Sequence, residues 1–187
     1  RKRKYLLTFA GNFNRAYSKD LASAYKMNVR MRLNVILKKS KYDYEKDERI
    51  KIINTGDTKR EFVYSYDELM LESEYLLIMS GDQQWSYRFR EGLLTTNILI
   101  LIGMDEYVLP FENVINYTQW FQHHGLIRID RDEFAKINTL EEFIDRFIPK
   151  VTKSELCVAH KYNEKMMNLY FKNTISEVNG MLHSLDA

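Results

Sequence analysis

The chain has 187 residues, of which 45% are hydrophobic and 29% charged, and its 28 basic and 26 acidic side chains leave a formal net charge of +2. This length fits one globular domain with a substantial core. The near balance of charge argues against a surface that binds DNA or RNA, which requires a clustered excess of Lys and Arg. The single cysteine, Cys157, excludes an internal disulfide and a zinc site built from cysteines.

The predicted elements alternate between short apolar strands and amphipathic helices. The first strand is a continuous apolar run that ends at Ala10–Gly11–Asn12. Predicted strands cover residues 5–9, 49–54, 75–79, 98–102 and 126–129. Predicted helices cover residues 28–37, 65–70, 87–95, 132–136, 139–147 and 153–182, with short helical turns before Phe121. This alternation indicates an α/β fold with a Rossmann-like parallel sheet and helices on both faces.

Two of these helices begin with a capping signal. Ser65 precedes one helix and Glu68 follows three positions later, which predicts a capping box. Thr139 and Glu142 have the same spacing at a second helix. The sequence therefore fixes the starts of these helices better than their ends.

Residues 73–111 read as strand, loop, helix, strand and loop, the order that builds a pocket at the carboxyl ends of parallel strands. Gly81, Ser86, Arg88 and Glu91 surround the predicted start of the helix. Unpaired N–H groups at a helix start attract phosphate, and an arginine binds a diphosphate with two parallel hydrogen bonds. Glu91 offers a carboxylate for ribose hydroxyls. The alternative interpretation is a helix capped by Ser86 and a weak surface pair between Arg88 and Glu91.

Gly11 and Arg30 form a second candidate group. Gly11 directly follows the first predicted strand, where a missing side chain lets the backbone approach a ligand. Arg30 supplies a further cation. A plain turn glycine and a solvated arginine are the alternative interpretation.

The histidines do not predict a metal site. His123 and His124 are adjacent, so on a helix they do not face one ligand. His160 and His183 lie in the predicted terminal helix. All four are interpreted as surface histidines, and no Ser/His/Asp or Cys/His arrangement identifies a catalytic residue.

Several blocks of sequence, taken in order, resemble the C-terminal, nucleotide-sugar-binding half of the exostosin family of glycosyltransferases. They are RKYLLTFAG at 3–11, RMRL at 30–33, YDELM at 66–70, SEYLL at 73–77 with Gly81, SYRFREGL at 86–93 and LPFENVINY at 109–117. The SYRFREGL block is the most specific. Together with a similar terminal helix, the resemblance covers most of residues 3–180.

The resemblance implies one of the two Rossmann-like domains of a GT-B enzyme. Residues 1–187 are then a single donor-binding domain, and we expect the N-terminal partner domain to be missing from this chain. The implied reaction transfers a sugar, with inversion, from a UDP-sugar to a glycan or glycoprotein acceptor. A homologous transferase subunit is a further expected partner, whereas nucleic acid and a metal or other cofactor are not expected.

The resemblance also implies roles for individual residues. Arg88 is expected to pair with the diphosphate, Ser86 to contact phosphate and Glu91 to hold the ribose. The residues that complete the donor pocket are Arg30, Gly11 and Gly81.

The chain departs from the family at two cysteines. TTNIL at 95–99 and LLIM at 76–79 stand where the family has cysteine-containing segments. Family members imply a Golgi or endoplasmic reticulum lumen location with a membrane anchor in the full-length protein, and the single cysteine leaves a cytoplasmic location as the alternative. The rival functions are a catalytically inactive exostosin-like partner subunit and an unrelated nucleotide-binding α/β module.

Overall fold

Five parallel strands form the centre of the protein. The structure is a computed structural model that describes residues 3–13, 28–41, 43, 46–56, 65–79, 87–104 and 109–172. The strands are β1 (Tyr5–Gly11), β2 (Ile50–Asn54), β3 (Ser73–Met79), β4 (Ile98–Ile102) and β5 (Leu126–Ile129). They lie in the order β2-β1-β3-β4-β5, and every neighbouring pair is parallel. The predicted Rossmann-like α/β fold is therefore confirmed.

Helices cover both faces of the sheet. They are α1 (Val29–Lys39), α2 (Tyr66–Leu71), α3 (Tyr87–Leu94), α4 (Tyr117–Gln122), α5 (Arg131–Ala135), α6 (Leu140–Phe147) and α7 (Lys153–Met166), which continues into a π-helical turn (Met167–Phe171). One core cluster holds buried side chains of α1, α5 and α6. The other holds those of α2, α3, α4 and the π-helical turn.

The central strands supply side chains to both clusters. In β3, Tyr75 and Leu77 lie in the first cluster and Leu76 and Ile78 in the second. All five residues of β4 are fully buried. A parallel strand covered on both faces requires such a continuous apolar run, which is why these strands were recognisable in the sequence.

Polar caps fix the helix starts, with one correction to the prediction. Ser65 accepts a hydrogen bond from the N–H of Glu68 at 3.0 Å, as predicted. The Glu68 carboxylate does not return the bond to form a capping box. It accepts instead from the Tyr5 hydroxyl at 3.3 Å and lies 3.9 Å from the Lys4 ammonium. The reciprocal capping box occurs at the start of α7, between Thr152 and Glu155.

The prediction of one regular α-helix over residues 153–182 is wrong about where the regular helix ends. Regular α-helix ends at Met166, and a π-helical turn follows. The wider turn shifts the buried face, so that Phe171 is buried and Leu169 is 49% exposed. Residues after 172 lie outside the described range. Among the described residues, no helix combines the length and apolarity needed to cross a bilayer.

A buried polar network joins α7 to the amino-terminal end of the sheet. The Asn163 side chain is fully buried and accepts from the Trp120 indole N–H at 2.6 Å. Its amide nitrogen donates to the carbonyl oxygens of Asn97, at 2.6 Å, and Gly125, at 2.9 Å. At Gly125 an added Cβ would lie 2.3 Å from Asn163 Oδ1, so the network also requires this glycine.

A second polar cluster lies nearby and corrects the interpretation of His160 as a surface residue. Its Nδ1 lies 2.7 Å from the carbonyl oxygen of Thr96, and its Nε2 lies 2.5 Å from Glu74 Oε1. Both partner atoms are oxygens that accept hydrogen bonds, so His160 has its two ring nitrogens in contact with other parts of the chain. Although burial favours the neutral carboxyl, the hydrogen bond and charge of His160 and the charge of Arg3 lower the pKa of Glu74.

Asn163→Ala is expected to lower the free energy of unfolding by about 2 to 4 kcal/mol, because it leaves one N–H and two carbonyl oxygens buried without their partner. Urea denaturation measures this loss. Asn138→Ala is the matched control, since Asn138 is exposed, and should change stability by less than about 0.5 kcal/mol. Equal losses in the two variants would contradict a structural role for the network.

The Glu74–His160 pair predicts an acid-sensitive contribution to stability. The folded protein lowers the pKa of Glu74 below its ordinary value of 4.5, so this stability is present above that pH and is lost as the pH falls through the folded pKa. Glu74→Gln should remove this part of the pH dependence and lower the free energy of unfolding at neutral pH by about 1 to 3 kcal/mol. Thermal unfolding of both proteins between neutral and acidic pH tests this. Parallel pH profiles would contradict it.

Candidate functional site

The strand order reverses at β1. From β1 the chain passes outward to β2, returns to β3 on the other side of β1, and continues outward to β4 and β5. As a result α1, which follows β1, packs on one face, and α3, which follows β3, packs on the other. Open α/β sheets bind ligands in the crevice at the carboxyl ends of the strands where the order reverses.

A small cavity occupies this point. Its walls come from the carboxyl-terminal halves of β1 and β3 and from three polar side chains on helices. The lining residues are Phe9, Ala10, Arg30, Tyr66, Leu76, Leu77, Ile78, Met79 and Arg88. The enclosed volume is about 20 Å³, which accommodates a water molecule or one phosphate oxygen but not a nucleotide.

Arg30 reaches the crevice from the first turn of α1. Asn28 caps this helix, accepting from the N–H of Arg30 at 3.0 Å. The guanidinium lies 3.5 Å from the carbonyl oxygens of Asn12, just past β1, and of Met79, at the end of β3. Arg30 therefore lies across the ends of the two strands that border the crevice.

Arg88 reaches the same cavity from the first turn of α3, on the opposite face. Its guanidinium carbon lies 3.7 Å from the centre of the Tyr66 ring, a close cation–π contact. Burial and the positive charge of Arg30 lower the pKa of Arg88, and the charge of Glu91 opposes this shift. Both arginine side chains line the same cavity, so an anion between them would offset the repulsion of their positive charges.

Glu91 lies one turn after Arg88 on α3. Its Oε2 lies 3.8 Å from Arg88 Nη1 and accepts a hydrogen bond from the Tyr66 hydroxyl at 3.0 Å. The ion pair alone is weak, because its side chains are 38% and 44% exposed. The predicted surface pair therefore exists, but it forms a cluster with Tyr66, in which Arg88 and Tyr66 line the cavity and Glu91 lies behind them.

Close packing holds α3 on the sheet. A Cβ at Gly92 would lie 2.5 Å from a methyl carbon of Leu99 and 2.9 Å from one of Leu76. The neighbouring Phe89 and Leu93 are buried on the same side. The glycine therefore lets the helix approach the sheet closely, and Arg88, one helical turn before Gly92 on the same side of the helix, reaches the cavity.

Gly11 lies at the end of β1, beside the cavity but not in its lining. A Cβ there would lie 2.7 Å from Cζ of Phe9, whose ring is buried and stacks on Phe13 at 5.8 Å between centroids. Packing against the Phe9 ring therefore explains why this position holds a glycine. Its predicted role of admitting a ligand stays a prediction.

The structure brings Arg30, Arg88 and Glu91 together, as the sequence predicted. Gly81 and Ser86, the other two predicted residues of the loop and helix start, lie outside the described residues. Sequence reasoning missed Tyr66 as a site residue. The sequence signal that could have identified Tyr66 is its place in the YDELM block, one of the blocks that resemble the exostosin family.

Other groups in the described residues fit a ligand site less well. No cluster of three or more His, Cys, Asp or Glu side chains there is arranged to hold a metal ion. A larger groove of about 730 Å³ follows β5, but three of its polar side chains contact other groups of the chain. Arg128 donates to the carbonyl oxygen of Met104, Arg146 pairs with Glu133, and Asp130 caps α5.

Comparison with known protein families identifies the family of the chain. The model of the exostosin GT47 domain matches residues 1–121, more than half of the chain. The chain belongs to the exostosin GT47 family. It is therefore a glycosyltransferase domain, and its Rossmann-like sheet is consistent with one domain of a GT-B enzyme. No curated protein shows significant similarity to it.

The exostosin match covers β1 to β4 and ends inside α4. All six predicted binding residues lie within it. The crevice between β1 and β3 is therefore part of the region that defines this exostosin domain, whereas the groove along β5 lies mostly outside that region.

Gly11→Ala is expected to destabilise the exostosin domain by about 1 to 3 kcal/mol, because the new methyl group displaces the buried Phe9 ring. Phe9→Leu removes the ring atom that the methyl group would meet. In that background Gly11→Ala should cost much less, and chemical denaturation of all four proteins gives the coupling. If Gly11→Ala costs the same in both backgrounds, ring contact is not the reason for the glycine.

Proposed function

We propose that the crevice between β1 and β3 binds the diphosphate of a nucleotide sugar, and that the donor is a UDP-sugar. The observation that carries the proposal is the approach of two guanidinium groups, from helices on opposite faces of the sheet, to one cavity. Family membership supports it, because a glycosyltransferase needs an activated sugar donor.

Arg30 and Arg88 take the diphosphate in this proposal. Both arginines lie in the first turn of a helix, where the helix dipole also favours a negatively charged ligand. Burial is the main cause of the lowered pKa of Arg88 and the charge of Arg30 adds to it, so an anion between the two arginines favours their charged forms. During sugar transfer the same charges stabilise the leaving diphosphate, whose negative charge increases as the glycosidic bond breaks.

Glu91 takes the ribose hydroxyls. Within the described part of the chain, the contacts of its carboxylate with Arg88 and Tyr66 both use Oε2. The other oxygen, Oε1, remains as an acceptor for a hydroxyl group of the ligand. Its place one helical turn from Arg88 suits a ribose attached to the bound diphosphate.

The transfer is proposed to need no resident metal ion, because the two arginines neutralise the diphosphate. We further propose that the acceptor is a glycan and that transfer inverts the anomeric carbon. A second domain across the crevice would supply the acceptor-binding site and the general base. Ser86 and Gly81 are proposed to complete the phosphate contacts through the loop that precedes α3.

Arg88→Ala and Arg30→Ala are each expected to weaken UDP binding by about tenfold or more, because each removes a charge-assisted contact to the diphosphate. Arg88→Lys should fall between wild type and Arg88→Ala, since lysine keeps the charge but loses the planar fork. Isothermal titration calorimetry with UDP, with and without a chelator, measures these affinities, and the chelator should have no effect.

Arg90→Gln is the matched control, because Arg90 lies on the same helix but donates to the carbonyl oxygen of Phe171 and does not line the cavity. It should bind UDP as wild type does. Equal UDP affinity in wild type and Arg88→Ala would remove Arg88 from the site. Absence of UDP binding by the wild-type protein would favour the inactive partner-subunit function instead.

A further inference from the structure

We infer that Tyr66 is a positioning residue of the donor site, and that it makes the site prefer a nucleoside diphosphate over a free diphosphate. The inference rests on the proposed function. It adds a residue from a third helix, α2, to the two helices that carry the proposed ligand contacts.

The hydroxyl of Tyr66 holds one oxygen of the Glu91 carboxylate. It donates to Oε2 at 3.0 Å, and the only other contact of the carboxylate with described residues, from Arg88 at 3.8 Å, is at the same oxygen. Both contacts therefore hold the carboxylate through Oε2. Without the hydroxyl, the half-exposed carboxylate can rotate towards the Arg88 charge.

The ring of Tyr66 holds Arg88. The guanidinium carbon lies 3.7 Å from the ring centre, and this contact is partly withdrawn from water, since the Arg88 side chain is only 38% exposed. A stacked guanidinium keeps its N–H groups at the edge of the plane, where they can bind phosphate oxygens. Tyr66 itself lines the cavity, so the stack lies at the crevice and not on the outer surface.

The position of Tyr66 is fixed independently of the ligand. It is the first residue of α2, which begins at the Ser65 cap, and the same helix buries Leu69 and Met70. One rigidly placed side chain thus orients the two groups that are proposed to bind different parts of the donor. The ring acts on the diphosphate contact, and the hydroxyl acts on the ribose contact.

These two actions can be separated with ligands that share only the diphosphate. Tyr66→Phe keeps the ring and removes the hydroxyl, so it should weaken UDP binding by about fivefold to tenfold and change pyrophosphate binding by less than about twofold. Tyr66→Leu removes the ring as well and should weaken both ligands. Calorimetry of the complete chain with UDP and with pyrophosphate measures both affinities.

Tyr162→Phe is the matched control, because Tyr162 also donates its hydroxyl to a side chain, Gln119, at 3.3 Å but does not line the cavity. It should leave both affinities unchanged. If Tyr66 has a purely structural role, Tyr66→Phe should lower the melting temperature of the protein without changing the ratio of its affinities for UDP and pyrophosphate.

The outcomes separate the two proposals. If wild type binds UDP and Tyr66→Phe binds UDP and pyrophosphate in the wild-type ratio, the inference about Tyr66 is wrong and the proposed function stands. If wild type binds neither ligand, the proposed function fails and the inference fails with it. A selective loss of UDP binding in Tyr66→Phe supports both.

Discussion

The reversal of strand order between β1 and β3 is the constraint on which the candidate site depends. Right-handed crossovers between parallel strands force α1 and α3 to opposite faces once the chain leaves β1 in one direction and β3 in the other. Their first turns then meet at the same edge of the sheet. Arg30 and Arg88 are 58 positions apart in sequence and share one cavity for this reason. Two guanidinium groups held close together by a rigid sheet repel each other, and a bound polyanion removes that cost.

The two ends of the sheet have different physical characters. At the amino-terminal end, Asn163 and the pair formed by His160 and Glu74 have their polar groups satisfied by other groups of the chain. Such satisfied networks hold α7 in place and fix a single packing arrangement. At the carboxyl-terminal end, the charges of Arg30 and Arg88 face a small cavity. Satisfied polar networks thus lie at one end of the strands and the proposed ligand site at the other, which is the end where open α/β sheets bind ligands.

The exostosin family assignment and the geometry of the crevice support each other but answer different questions. The family match identifies a glycosyltransferase domain and includes the residues of the crevice. The geometry supplies roles within that domain. It adds Tyr66, whose ring and hydroxyl contact Arg88 and Glu91 respectively. It also shows that the Phe9 ring leaves no room for a side chain at Gly11, which explains this glycine without the ligand role proposed from sequence.

The sequence by itself determined the α/β class, the strands and most helix starts, because continuous apolar runs and capping residues are local signals that the tertiary structure did not override. Residue type and spacing also made Arg30, Arg88 and Glu91 candidates, and the resemblance to the exostosin family favoured a binding role for them over a surface role. Only the tertiary structure decided which residues meet across the sheet, since contacts between separate helices depend on strand order. The Tyr66 contacts, the half-buried His160 and the π-helical turn that buries Phe171 all depend on packing against distant parts of the chain. No periodicity within one segment encodes such contacts.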